Sequence, residues 1–281
     1  MRRASARIGL LAAALLWGAT AHAERARRIV SLDLCTDQLL IELADRARIA
    51  AVTHLAGDPS VSAIPEKARG LAVTRGGAED VLRYDPDLVL AGPYGVAGSV
   101  AMLQRLGRRV VSVPQAADLD GVRAAVRLVA TAIGEEAKGQ AMIAGFDRRL
   151  ARLPPVRGVP PGAIIYQVGG TVSATGSLID KALAAAGYRN MAAEYRLTRG
   201  GQVPLEVLLA RPPDLLVLSS GAEEYRTVLA DNLRHPALAL LRARHPALEL
   251  PWRLWLCGTP AVAEAIERLA AVRVAVERRP R

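Results

Sequence analysis

The sequence predicts an α/β protein made of two similar halves around a long helix. Short apolar segments rich in β-branched residues alternate with amphipathic helical segments, a pattern typical of parallel sheets covered by helices. Between the halves, apolar residues recur at helical spacing over residues 118–153, a stretch longer than an ordinary crossover helix. The halves also share a short internal repeat. Together these observations favour two α/β units.

Strand and helix signals follow one another along the chain. Predicted strands end at glycine or proline, as at Gly92-Pro93 and Pro114, and the long helix ends at Pro154-Pro155. Gly134 and Gly139 are weak points inside that helix, since each costs about 1 kcal/mol relative to alanine. The predicted strands are 28–33, 50–53, 87–91, 109–113, 163–168, 214–219 and 252–256. The predicted helices begin at Thr36-Asp37 or span 100–106, 118–153, 178–186 and 260–271.

The internal repeat relates residues 79–88 to residues 206–215. At a fixed offset of 127 residues, a glutamate, a leucine, a proline, an aspartate and a second leucine coincide. Each copy follows a diglycine and reads as a helix that leads into a buried strand. Such junctions are common in α/β proteins, but five identities on the same element favour a structural duplication.

Composition excludes several classes of protein. Of the 281 residues, 51% are hydrophobic and 23% are charged, which excludes a disordered chain, a collagen and a disulfide-dense miniprotein. The net charge of +10 by itself indicates a polyanionic partner such as nucleic acid. The N-terminal segment argues against that partner.

Residues 1–23 have the pattern of a secretory signal peptide. Three arginines precede an apolar run over residues 8–17, and Ala21-His22-Ala23 forms a small-x-small cleavage site. The apolar run is too short to span a bilayer, which takes about 20 residues. We therefore expect cleavage after Ala23 and an exported protein that meets no nucleic acid.

The chain resembles the periplasmic substrate-binding proteins of ABC importers for iron chelates and vitamin B12. The resemblance covers about residues 27–275 and rests on the strand Arg-Ile-Val-Ser-Leu (28–32) with its Thr-Asp helix start, on the phrase Leu-Arg-Tyr-Asp-Pro-Asp-Leu-Val-Leu (82–90), and on the long helix. It implies two Rossmann-like α/β lobes joined by one long backbone helix, with the ligand in the cleft outside the strand ends. The implied boundaries are a signal peptide (1–23), an N-terminal lobe (24–117), a linking helix (118–153) and a C-terminal lobe (154–281).

The resemblance also implies a location, a cargo and a partner. It places the protein in the periplasm as a monomer without an intrinsic cofactor, carrying a ferric siderophore, haem or cobalamin. Members of the family dock on the ABC-transporter permease of the inner membrane through one surface glutamate per lobe. Those positions match Glu79 and Glu206, which the repeat also aligns. Two carboxylates on opposite lobes would fix the orientation of docking.

Candidate ligand-binding residues are those that follow predicted strand ends. A histidine or tyrosine there would ligate iron, an aromatic ring would stack on a flat ligand, and an arginine would bind an anionic chelate. In the first half the candidates are Asp33, Cys35, Thr36, His54 and Tyr94. In the second half they are Gln167, Ser220, Trp252, Arg253, Trp255 and Cys257.

The two cysteines leave three alternatives open. Cys35 follows the first strand and Cys257 the last, so the implied fold puts both near the cleft, in opposite lobes. An exported protein meets an oxidising compartment, which raises the possibility of a disulfide. A bond across the cleft would lock it, however, and distant thiols cannot bridge. Buried free thiols are therefore the first alternative, ligand-contacting or metal-binding thiols the second, and a disulfide the third.

Two other functions compete with transport. An exported, hydrolase-like α/β enzyme is one, although the chain has no Gly-x-Ser-x-Gly elbow, no His-Glu-x-x-His and no P-loop. A binding protein for free Zn or Mn ions is the other, and it would need several histidines and carboxylates as ligands. The chain has four histidines, one of them inside the predicted signal peptide. We therefore expect a binding protein rather than an enzyme, with no metal site of its own.

Overall fold

A computed structural model describes residues 25–94, 96–197, 200–220 and 233–277. The predicted signal peptide and its cleavage site after Ala23 lie outside these residues. Within the described ranges, no helix is both long enough and apolar enough to cross a membrane. The described chain forms two sheets with helices packed against them, so the predicted α/β class is confirmed.

The N-terminal lobe is built on a five-stranded, all-parallel sheet with the strand order β3-β2-β1-β4-β5. Strands β1 and β4 have no exposed surface and are apolar except for Ser31, as expected for a parallel sheet covered on both faces. The strands are β1 (Ile29–Ser31), β2 (Ile49–Thr53), β3 (Val73–Thr74), β4 (Leu88–Ala91) and β5 (Val110–Ser112). The helices are α1 (Leu34–Leu43), α2 (Pro65–Ala68), α3 (Ala78–Leu82) and α4 (Ala97–Arg105).

Helix α1 begins earlier than the sequence predicted. Asp33 is the N-cap, and its carboxylate accepts a hydrogen bond from the backbone N–H of Cys35 at 2.9 Å. Thr36, the predicted cap, lies inside the helix, where its hydroxyl contacts the hydroxyl of Ser31 at 2.7 Å. The prediction was wrong because Asp33 and Thr36 both have capping side chains, and only the path of the chain after β1 selects between them.

The linking segment forms two helices instead of the single helix predicted over residues 118–153. Helix α5 (Leu119–Ile133) ends at Gly134, which has a left-handed φ of 72°, and α6 (Glu136–Ala151) begins two residues later. The N–H groups of Gly134 and Glu135 return to the carbonyls at the end of α5, so this glycine forms a helix C-cap. The sequence marked Gly134 as a weak point, but the apolar spacing continued across it.

Helices α5 and α6 pack side by side and belong to both lobes. The start of α5 and the end of α6 contribute Val122 and Phe146 to the C-terminal core, whereas Val129 and Ile143 enter the N-terminal core. A Cβ at Gly139 would lie 2.5 Å from the Cβ of Ala130, so the helices touch closely at that glycine. Helix α6 then takes the chain from the first lobe to the second.

The C-terminal lobe has a mixed sheet. Strands β11, β10 and β6 are parallel and β8 pairs parallel with β6, whereas β7 and β9 join antiparallel. The strands are β6 (Gly162–Tyr166), β7 (Thr171–Val172), β8 (Arg189–Asn190), β9 (Gly201–Gln202), β10 (Leu215–Ser220) and β11 (Ala247–Pro251). The helices are α7 (Leu178–Ala185), α8 (Leu205–Ala210), α9 (Pro236–Arg244) and α10 (Val262–Glu277).

One predicted strand of this lobe was wrong. Residues 252–256 were predicted as the last strand, but β11 ends at Pro251 and Trp252–Leu254 form a 3₁₀ turn. Tryptophan and leucine favour strands, which explains the prediction. Pairing decided otherwise, because β10 aligns with residues 247–251 and leaves the next residues to turn away from the sheet edge. The tryptophans are therefore on a loop at the carboxyl end of the sheet.

Candidate functional site

Loops from the carboxyl ends of both sheets meet between the lobes. Cys35, in the first turn of α1, forms a disulfide with Cys257, which follows β11, and their Cα atoms are 5.1 Å apart. The favoured expectation of two free thiols was therefore wrong, and the disulfide is the alternative that holds. The sequence argument ranked a disulfide last because it assumed that the two cysteines are far apart. The distance between residues of different lobes depends on the tertiary structure and cannot be derived from the sequence.

Apolar side chains surround the disulfide. We call this group the interlobe cluster; it consists of Leu34, Cys35, Leu55 and Val61 from the N-terminal lobe and of Leu256 and Cys257 from the C-terminal lobe. Cys257 is buried, and Cys35 is partly exposed. Nearby, a Cβ built on Gly258 would lie 2.3 Å from the Cβ of Ala116, so this glycine lets the lobes approach closely. The lobes are in direct contact here.

A small cavity of about 30 Å³ lies against Cys35. Asp33, Cys35, Thr36 and Tyr94 line it, together with Gln115. Tyr94 is 63% exposed and donates its hydroxyl proton to the side-chain oxygen of Gln115. Thr36 is almost fully buried, with its hydroxyl also bonded to the carbonyl of Asp33 at 2.9 Å. The cavity has room for about one water molecule, so it does not hold a chelate.

A larger groove of about 350 Å³ lies beside the loop that leads to Cys257. Most of its wall is apolar, and among the described residues no acidic, basic or histidine side chain lines it. Trp255 is 3% exposed, and its Nε1–H has no hydrogen-bond acceptor among the described residues. The lining residues are Gln115, Ala116, Ala117, Ser177, Leu178, Ile179, Trp252, Trp255 and Leu256. The groove falls within the size range of small-molecule sites, which are mostly apolar with a few polar groups.

Three other candidate ligand residues, His54, Gln167 and Arg253, are not among the described residues that line the two cavities. His54 is exposed at the start of a 3₁₀ turn after β2, and Arg253 lies between the two groove tryptophans in sequence. Gln167 follows β6, and its backbone N–H bonds to the carbonyl of Thr171 at 2.9 Å. Ser220 is the last residue of β10, and its side chain lies outside the described set.

A buried carboxylate lies behind the α1 loop. Asp37 is fully buried and accepts hydrogen bonds from the hydroxyl of Thr53 at 2.5 Å and from the backbone N–H of the same residue at 3.2 Å. Burial raises the pKa of Asp37 to about 7, although the hydrogen bonds from Ser31 and Thr53 act against the rise. This network ties the start of α1 to the end of β2. It therefore positions the loop that carries Asp33 and Cys35.

Glu79 and Glu206 occupy matching places in the two lobes. Each is exposed and is the second residue of a short helix, α3 or α8, directly before a central strand. The strands that follow, β4 and β10, each lie beside the first strand of their own sheet, β1 or β6. The repeat thus marks equivalent positions in the fold.

Sequence reasoning missed much of the groove wall. Residues 115–117 follow β5 after Pro114, and Ser177 is the N-cap of α7, with its hydroxyl accepting from the N–H of Asp180. The rule that ligands bind at carboxyl ends of parallel strands would have found the first segment. Nothing local marks Leu178 or Ile179, because both resemble ordinary core residues of an amphipathic helix.

Metal-ligating side chains do not cluster in the part of the chain that the structure describes. Within it, no three histidine, cysteine, aspartate or glutamate side chains come together as a set that would hold a metal ion. Both cysteines form the disulfide, so neither provides a thiolate ligand. The arrangement is thus an apolar groove with aromatic walls, flanked by polar groups on loops.

Comparisons with known proteins agree with this geometry. A periplasmic haem-binding protein, RhuT from Roseiflexus sp. RS-1, has a TM-score of 0.72 at 23% identity, with 89% of this chain and 99% of that chain covered. The vitamin B12-binding protein BtuF of Vibrio cholerae has a TM-score of 0.67 at 18% identity, with 91% and 99% covered. Both show a shared fold.

Sequence comparisons identify a curated relative and a family. A cobalamin-binding protein of Halobacterium salinarum is 26% identical over 201 residues, which is 70% of this chain and 54% of the relative. The chain thus spans about half the length of the curated relatives it matches. The family model described as "Periplasmic binding protein" matches residues 29–245, which is most of both lobes. The chain therefore belongs to the periplasmic binding protein family, whose members bind ligands rather than catalyse reactions.

Proposed function

We propose that the protein is the periplasmic substrate-binding component of an ABC importer. It captures an iron chelate, either a siderophore or haem, or a cobalamin-like corrinoid, and delivers this cargo to a membrane permease. The observation that carries the proposal is the groove beside the disulfide, walled by Trp252 and Trp255. Relatives with this fold are named as haem-binding and vitamin B12-binding proteins. In this proposal residues 1–23 are the export signal, and the protein acts as a monomer.

The groove supports a cargo with an apolar face. Its volume of about 350 Å³ would receive one side of a flat organic chelate, which would stack on the indole ring of Trp252. The candidates on the surrounding loops, Asp33, Tyr94, Gln167, Ser220 and Arg253, would contact the polar rim of the cargo, and His54 would lie further out.

The groove also disfavours one mode of binding. The described residues that line it include no histidine, cysteine or carboxylate, so in this proposal the protein holds a metal through the organic chelator. That favours a chelate whose metal is already fully coordinated, and it argues against the alternative of a free Zn or Mn ion. Tyr94, which lies by the smaller cavity, is a candidate ligand for ferric iron.

The cargo assignment is tested by titrating the purified protein with ferrichrome, haemin and cyanocobalamin while following tryptophan fluorescence. We expect at least one of the three to quench the fluorescence with saturation, because both tryptophans of residues 24–281 lie at the groove. Trp252→Ala is expected to weaken binding by about tenfold or more. Leu240→Ala, which alters an exposed side chain on α9, serves as the control. Binding of none of the three, or equal binding by both variants, would contradict the assignment.

Docking on the permease is assigned to Glu79 and Glu206. Both carboxylates are exposed at equivalent places, so permease arginines at a matching spacing would contact one lobe each. In cells dependent on this importer, the double variant Glu79→Ala/Glu206→Ala is expected to bind cargo normally and to lose most uptake. The control replaces Glu66 and Glu264, two exposed glutamates on other helices, by alanine. Normal uptake by the first variant would remove the docking role.

A further inference from the structure

A single disulfide joins the two lobes beside the groove. Cys35 lies in the first turn of α1 in the N-terminal lobe, and Cys257 follows β11 in the C-terminal lobe. They are 222 residues apart in sequence, and the chain contains no other cysteine. Apart from the polypeptide itself, this bond is therefore the one covalent link between the lobes.

Both cavities adjoin the segments that the bond joins. Cys35 lines the small cavity, whereas Leu256 and Trp255, the residues that precede Cys257, line the groove. Gln115 and Ala116 line both. The groove thus has one wall that follows β5 of the first lobe and another wall carried by the loop that ends at Cys257. A change in the distance between the two sulfur atoms would change the width of the groove.

Apart from the disulfide, few residues hold the two loops together. The interlobe cluster has six members, and beyond it the close approach of Gly258 to Ala116 brings the segments together. No ion pair given for the described residues joins the loop after β11 to α1. Removing the covalent bond would leave only this small apolar contact to resist separation of the two loops.

We propose that the Cys35–Cys257 disulfide is an interlobe clamp that fixes the width of the groove, so that the oxidation state of this pair sets how tightly the protein retains its cargo. The effect on cargo rests on the proposed function, but the clamp itself does not. In the oxidised protein the lobes stay together and the groove keeps its two walls. In the reduced protein the loops separate and cargo escapes faster.

The chemistry of the clamp is thiol–disulfide exchange. A thiolate of an external dithiol attacks the Sγ of Cys35, which is partly exposed, whereas the Sγ of Cys257 belongs to a buried residue. The S–S bond breaks, Cys257 leaves as a thiolate and takes up a proton, and the second thiol of the dithiol then displaces Cys35. Two electrons and two protons pass to the protein, and the dithiol becomes a disulfide. An oxidised dithiol partner reverses the sequence and closes the clamp.

Hydrogen exchange without any ligand tests the clamp. The oxidised protein, the same protein reduced with a phosphine, and the variant Cys35→Ser/Cys257→Ser are compared by mass spectrometry. We expect residues 33–38 and 254–259 to exchange about tenfold faster in the last two samples than in the oxidised protein. The central strands β1 and β4 report the global fold and are expected to keep their protection. Equal exchange of the two loops in all three samples would overturn the clamp.

Two controls keep this test decisive. The phosphine must not change exchange in the serine variant, since that variant has no disulfide to reduce. Alkylation of the unreduced, denatured protein with iodoacetamide is expected to leave both cysteines unmodified. Modification of both would show that the native protein holds no clamp. If the serine variant fails to fold, reduced wild-type protein still provides the comparison.

Dissociation kinetics test the link to cargo. Haemin, ferrichrome and cyanocobalamin are each bound to oxidised and to phosphine-reduced protein, and release is followed by dilution or competition. For a probe that binds, we expect release to be about tenfold faster from the reduced protein. Equal release rates would refute control of retention even where exchange supports the clamp. If none of the three probes binds, the proposed function fails, whereas the exchange result still decides whether the lobes are clamped.

Discussion

The two lobes share a framework, and one aspartate in each performs the same structural task. Asp87 precedes β4, and its carboxylate accepts hydrogen bonds from the N–H groups of Arg27 at 2.6 Å and Arg28 at 3.1 Å, where β1 begins. Asp214 precedes β10 and accepts from the N–H of Gly162 at 2.6 Å, where β6 begins. The internal repeat aligns these two aspartates. A short match in sequence thus marks a tertiary contact that each lobe makes.

The lobes differ in the charged side chain that each one buries. The N-terminal lobe buries Asp37 against Thr53, and burial raises the pKa of that carboxyl to about 7. The C-terminal lobe buries Arg273, which donates to the carbonyls of Ala186 at 2.9 Å and Pro154 at 2.6 Å. The two lobes therefore share the arrangement of strands and helices but differ in the charged groups buried inside them. Asp37 supports the cleft loop, whereas Arg273 fastens α10 to the chain that enters the second lobe.

The largest expected effect is on the C-terminal lobe alone. Arg273→Leu leaves buried carbonyls without their donor, so we expect the free energy of unfolding to fall by about 3–5 kcal/mol. Urea denaturation followed by circular dichroism measures this loss. Arg268→Leu, on the same helix, removes only an exposed ion pair with Glu264 and is expected to cost less than about 1 kcal/mol. Equal losses in the two variants would contradict the fastening role.

The N-terminal lobe is expected to show a dependence on pH that comes from Asp37. Because the pKa of this carboxyl is about 7 in the folded protein and near 3.8 when unfolded, the folded state binds more protons between these values. Stability should therefore fall as pH rises from about 4 to about 7. Asp37→Asn should lack this fall and should exceed the wild type in stability at pH 8. Urea titrations at several pH values measure both effects.

Asp45→Asn is the control for that experiment. Asp45 is exposed, and its hydrogen bond to Lys138 lowers the pKa of its carboxyl below the ordinary value. Its contribution to stability is therefore lost only as pH falls below about 4, outside the window of Asp37. If the Asp37→Asn variant kept the wild-type slope between pH 4 and 7, the buried carboxyl would not be its source.

The smallest effects test the equivalence of the lobes. Asp87→Ala and Asp214→Ala each remove a carboxylate that accepts backbone N–H groups at the start of a first strand, so each should cost about 1 kcal/mol. The two losses should add in the double variant, since the residues lie in different lobes. The control is Asp120→Ala, which removes an exposed side chain of α5. A loss confined to one lobe would show that the repeated aspartates do not share one role.

Local patterns predicted much of the fold. Strands 50–53 and 87–91 and helix 178–186 agree with the structure to within one residue at each end, because burial on both faces leaves a continuous apolar run and because helix spacing is local. The strand at 252–256 and the single linking helix failed. In the first case the edge of β10 set the register, and in the second Gly134 took the left-handed conformation.

The candidate site was predicted less completely. Four of the candidate ligand residues, Cys35, Trp252, Trp255 and Cys257, lie around the contact between the lobes, and their role in binding stays a prediction. Ser177, Leu178 and Ile179 were missed, since a helix that supplies a groove wall has the same apolar spacing as one that fills a core. Asp37 was recognised as part of a helix start but not as a buried carboxyl.

The sequence by itself determined the α/β class, the repeat that pairs Glu79 with Glu206, and the resemblance to periplasmic binding proteins. These features are encoded by periodicity and by short-range spacing, which a sequence displays directly. Only the tertiary structure decided that Cys35 forms a disulfide with Cys257 and that Arg273 is buried within the C-terminal lobe. Both depend on distances between segments more than 80 residues apart, because packing of separate elements sets such distances and no local pattern does.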